Sequence, residues 1–149
     1  MSDTLQRFLF EHAPIRGEFV QLAATWQAVT ERHDYPPPLR RALGELMAAI
    51  SLLPDSGQQG YQGVVDLEAA SIAAALEHYM TASEQIETRL WLACDEHRAA
   101  GLLIQKLPGH PDADDDAWPR IGHLAGTVQP QELLGLAPQT LLRRLFHEE

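Results

Sequence analysis

The sequence predicts an α+β fold, a mixed or antiparallel β-sheet packed against helices in a single domain over residues 1–149. Three observations carry this. Short runs rich in β-branched and aromatic residues, bounded by glycine or proline, read as strands. Two longer runs, Leu39–Leu53 and Ile72–Met80, place large apolar residues at helical spacing. Between Gly60 and Met80 one pattern passes straight into the other, and a strand that feeds an apolar-faced helix needs a sheet beneath that helix.

Taken in order, Arg7–His12 and Ile15–Gln21 read as strands joined at Ala13-Pro14. Helical spacing runs through Ala23, Trp26 and Val29 to His33-Asp34, where a turn and cap are expected. Pro36-Pro37-Pro38 then forces a stop, because proline lacks the amide donor and restricts the residue before it. The next helix starts at or just after the last proline and carries a stripe of Leu39, Leu43, Leu46, Met47, Ile50 and Leu53. Residues 54–60 are a connector to the strand Tyr61–Leu67. Ser71 or Asp66 caps the helix Ile72–Met80, with Glu77 and His78 turned to solvent. Thr88–Cys94 and Ala100–Leu107 form a hairpin around Asp95–Arg98, with Leu90, Leu92 and Cys94 on one face. Pro108–Asp116 is an acidic loop, and the C-terminal part, residues 118–149, is helical in the pieces Trp118–Val128, Gln131–Leu134 and Pro138–Phe146. The expected core is Leu43, Leu46, Ile50, Ile72, Leu76, Leu90, Leu92 and Ile104.

Composition narrows the function classes. A hydrophobic content of 45% against 21% charged residues suits a chain that folds. The net charge of -10 disfavours nucleic-acid and anionic-membrane partners, which call for a basic face. Cys94 is the only cysteine and can form no internal disulfide. The start of the chain lacks the basic and apolar regions of a signal peptide, and no apolar run is long enough to span a bilayer, so a cytoplasmic protein is expected.

Candidate chemistry is thin. Cys94 and His97 have the C-x-x-H spacing of half a zinc site, but no second pair stands at matching spacing, and Cys94 reads as a small core residue. Asp112, Asp114 and Asp116 mimic the start of a calcium loop, yet Ala117 and His123 stand where glycine and glutamate are needed. His33-Asp34 has no nucleophile beside it, and phosphate-binding glycine loops are absent. No catalytic, cofactor-binding or metal residue is assigned, no cofactor is expected, and the chain is not expected to be an enzyme.

GYQGVVDLE at Gly60–Glu68 and TRLWL at Thr88–Leu92 resemble the redox-regulated holdase chaperones, the heat-shock protein thirty-three family. So do RFLFEHAPIRGEFVQL at Arg7–Leu22, HDYPPPLRRALGELMAAISLL at His33–Leu53 and ELLGLAPQTLLRRLFHEE at Glu132–Glu149, in the family's order. The resemblance implies ATP-independent holdase binding of unfolding client proteins by a chaperone core domain. It also marks two departures. Family members carry a central β segment between the Leu39–Leu53 helix and the Tyr61–Leu67 strand, and a C-terminal zinc centre of four cysteines that serves as a redox switch. This chain has neither, so zinc-based redox switching is not expected. The rival reading is a structural or self-associating remnant without chaperone activity. A bare edge at Tyr61–Leu67 would favour a homodimer or strand-exchanged assembly, or capture of an extended client.

Overall fold

The structure, a computed structural model, describes residues 2–52, 71–108 and 116–149. The connector 54–60, the strand expected at Tyr61–Leu67 and most of the acidic loop lie outside these residues.

Four strands form an antiparallel sheet: β1 (Thr4–Leu9), β2 (Ile15–Leu22), β3 (Thr88–Cys94) and β4 (Ala99–Lys106), in the spatial order β1-β2-β4-β3. Two hairpins build it. β1 pairs with β2 and β3 with β4, while Leu22 opposite Ala99 and Ile15 opposite Lys106 join the two. The first strand is displaced from the expected Arg7–His12. Leu9 already faces Arg16, so Phe10 begins the turn, where its N–H donates to the carbonyl of Ile15 at 3.2 Å. The second hairpin turns where expected, with the Asp95 carboxylate accepting from the N–H groups of His97 (2.8 Å) and Arg98 (2.7 Å).

Helices cover both faces of the sheet. One face receives α1 (Ala24–Arg32), α2 (Pro37–Leu52) and α3 (Ile72–Ser83), with Val20, Leu22, Trp26, Leu76, Leu90 and Leu103 in the core between. The other receives α4 (Ala117–Ala125), α5 (Pro130–Gly135) and α6 (Pro138–Phe146) over Ile15, Phe19, Leu102 and Ile104. β4 is central and faces a core on each side, which explains why seven of its eight residues are buried.

Local chemistry fixes the helices. Ser71 caps α3 by accepting from the N–H of Ala74 at 3.0 Å, as one of the two sequence alternatives had it. The N-cap of α1 is Ala23, which has no side chain for the task. Asp3 supplies it instead, accepting from the N–H groups of Ala23 (2.8 Å) and Thr25 (3.2 Å) and from the Thr25 hydroxyl. On the far face the rings of Phe8, Phe10 and Phe146 cluster, Phe10 meeting both others edge-to-face and Phe146 at 5.0 Å between centroids. Gly17 makes room for it: a Cβ there would lie 2.1 Å from the Phe8 ring.

The expected core holds for Leu76, Leu90 and Ile104, which are buried, while Leu43, Ile72 and Leu92 are half-buried against the core. It fails for Leu46 and Ile50, which are exposed. α2 approaches the sheet through Gly44, Ala48, Ala49 and Leu52, the side on which small residues let it sit close. A Cβ on Gly44 would come within 2.2 Å of the Cys94 Sγ, so there is no room for a leucine at that point of the contact.

Candidate functional site

Two neighbouring surfaces stand out. The first is the outer face of α2. Residues 39, 43, 46 and 50 recur at helical spacing and lie in one row opposite the buried small residues. Leu39 is 48% exposed, Leu46 42% and Ile50 63%. A helix apolar on both sides belongs between two partners; among the described residues α2 packs on the sheet and against α3, and its outer row is left exposed.

The second surface is the outer edge of β3, which pairs with no further strand among the described residues. The N–H of Lys106 donates to the carbonyl of Glu87 at 3.0 Å, which sets the phase of the β3–β4 ladder. Arg89, Trp91 and Ala93 therefore bond to β4, and Thr88, Leu90, Leu92 and Cys94 turn their peptide groups outward. One outward donor is taken: the N–H of Leu90 donates to the Glu77 carboxylate of α3 at 2.9 Å. Glu77 is thus half-buried, not turned to solvent as its helical position suggested, whereas His78 is exposed. Burial pushes the Glu77 carboxyl above its ordinary value, opposed by the Leu90 bond and the Arg89 charge. The peptide groups of Leu92 have no partner among the described residues.

A cleft of about 290 Å³ runs along this edge. Trp91, Val128, Pro130 and Leu133 line its α5 side, and Glu45, Ser71 and Ala73 line the other. The α5 wall is held in place because Gln21 donates to the carbonyls of Leu133 (2.8 Å) and Leu136 (2.7 Å), and Arg98 to that of Leu134 (2.8 Å). Glu45 is the one ionisable lining group among the described residues, and burial raises its carboxyl against the pull of Arg41. These walls come from α2, α3, β3 and α5, far apart in the chain, and sequence reasoning did not bring them together. The signal that was available is the row of small residues at 44, 48 and 49, which marks the close-packed side of α2.

The residues with candidate chemistry do not assemble. Cys94 is half-buried against α2, and burial, with help from the Asp95 and Glu45 charges, pushes its thiol up to about 11. His97 sits exposed in the hairpin turn, whose Asp95 is committed to backbone N–H groups. No three His, Cys, Asp or Glu side chains gather as a metal site among the described residues. His33 ends α1 and lies 5.6 Å from the Tyr35 ring, exposed and away from the cleft. Asp116 pairs with Arg120 at 3.5 Å, and Asp112 and Asp114 lie outside the described residues. No described helix is long and apolar enough to cross a membrane.

An outward apolar helix face beside an open strand edge defines a domain for binding other polypeptides. Comparison with known proteins agrees. The family model described as Hsp33 protein matches residues 3–60 and 51–149. The 33 kDa chaperonin of Methylobacillus flagellatus is 40% identical over 213 aligned positions, covering 100% of this chain and 73% of that protein. That of Nitrosococcus oceani is 36% identical over 208 positions, covering 99% and 72%. A crystal structure of the Thermotoga maritima Hsp33 homologue superposes with a TM-score of 0.67 over 95% of this chain and 73% of that one. At 16% identity that likeness speaks for the fold. The chain belongs to the Hsp33 family, and its function is that of a chaperone.

Proposed function

We propose that this chain is an ATP-independent holdase that binds unfolding proteins in the cytoplasm through the outer face of α2. The observation that carries this reading is the outward row of Leu39, Leu46 and Ile50, each more than two-fifths exposed. Apolar surface of this kind captures the apolar segments that an unfolding client exposes. The net charge of -10 keeps a loaded complex soluble by mutual repulsion.

The reading extends to regulation. The family model matches in two pieces that meet at residues 51–60, just past the end of α2, and the alignment with the first relative above is longer than the 149 residues of this chain. Both support a domain from which a central segment is missing, and α2 is the element that segment would follow. Without it the outer row of α2 stays uncovered and open to clients. The test is suppression of thermal aggregation of a heat-labile enzyme at near-equimolar chaperone. Suppression is expected under reducing conditions without ATP, and a Leu46→Lys, Ile50→Lys double variant with wild-type circular dichroism should lose most of it. A folded wild-type chain that leaves aggregation unchanged overturns the reading.

A further inference from the structure

We propose that the open edge of β3 takes an extended, unfolded segment as an added strand, with alternating apolar side chains in the cleft and a basic residue beside Glu45. This deepens the holdase reading and rests on it. Three observations converge. The outward peptide groups of Leu92 supply a donor and an acceptor with no partner among the described residues, and the Glu77 carboxylate on Leu90 marks where the free stretch begins. The cleft reaches both faces of the strand, because Trp91 belongs to the α5 side and Leu90 and Leu92 to the α2 side. An added strand sends successive side chains to opposite faces, and both have an apolar wall to receive them.

The third observation is charge. Among the described residues Glu45 is the only ionisable group lining the cleft, and it lies on a chain of net charge -10. A lysine or arginine in the incoming segment complements it, and an acidic residue is repelled. A second copy of this chain is disfavoured as the occupant, since it brings another Glu45 and another large negative charge.

The test uses the whole chain and three labelled, tryptophan-free peptides. The parent alternates valine and threonine with a lysine at each end. The second is identical but N-methylated on alternate residues, and the third replaces lysine with glutamate. The parent is expected to bind and to slow hydrogen exchange at the Leu92 amide. N-methylation, which removes the donors of one strand edge, should weaken binding about tenfold or more, and glutamate should weaken it severalfold. The gap between lysine and glutamate peptides should shrink in Glu45→Gln. Equal binding of the N-methylated peptide, or binding without protection at Leu92, overturns the proposal. Aggregation suppression that persists while Leu92 stays unprotected leaves the holdase reading standing without this edge. Strand capture without any aggregation suppression leaves the edge standing and removes the holdase reading.

Discussion

At the scale of single residues, neighbours decide what a side chain does. Cys94 is the one thiol, and its half-buried place against Gly44 raises it to about 11. On the order of one thiol in a thousand is then ionised near pH 8, and the thiolate is the reactive form. Peroxide should therefore leave aggregation suppression unchanged, and Cys94→Ser should match wild type. Strong peroxide activation lost in Cys94→Ser would contradict this. Leu46 and Leu52 make a paired test on one helix. Leu52 is fully buried, and Leu52→Ala should cost about 2–5 kcal/mol in denaturant unfolding. Leu46 is 42% exposed, and Leu46→Ala should fall within about 1 kcal/mol of wild type. Equal losses would mean that both faces of α2 are covered. Spacing alone revealed the row of leucines but not its direction, because period shows which residues share a face and not which face is inward. Gly44, Ala48 and Ala49 settled that through close approach, reversing the usual rule that the largest residues point in.

At the scale of elements, strands and helices were legible where pattern and boundary residues agreed. Ile15–Leu22, Thr88–Cys94 and the Ser71 cap follow from β-branched runs and a short side-chain oxygen. β1 was misplaced because its apolar run continues through Phe10, past the last paired residue, into the aromatic cluster with Phe146. Glu77 was misread for a related reason: helical phase points it outward, but the edge of β3 stands there with a free N–H. The seam between α3 and β3 has a pH signature. Burial raises the Glu77 carboxyl, so the folded chain holds that proton more tightly than the unfolded chain. The stabilising effect of protonation is present in full below the ordinary carboxylate range and is lost as pH rises through the raised value. Glu77→Gln keeps an oxygen for the Leu90 N–H and removes the charge. Its melting temperature should exceed wild type at pH 7, and the difference should close below about pH 4. A variant less stable than wild type at pH 7 would show that the charge itself holds the seam.

At the scale of the whole molecule, the α+β class and the hairpins were readable, while the two-sided arrangement was not. Which face a helix covers depends on the order β1-β2-β4-β3, and that order is a long-range fact with no local signature. The cleft along β3 is illegible for the same reason. That strand order also governs how the chain reaches its native state. Each hairpin closes locally, but the β2–β4 ladder brings Leu22 against Ala99 and cannot form until the intervening chain has been gathered in. Closing so long a loop is the slow, entropically costly event. Until it happens, each hairpin presents to solvent the edge it will later share with the other. The half-assembled chain therefore carries two unsatisfied strand edges at once, each a template for misplaced pairing. Refolding yield should then fall as the chain concentration rises, and recover on dilution.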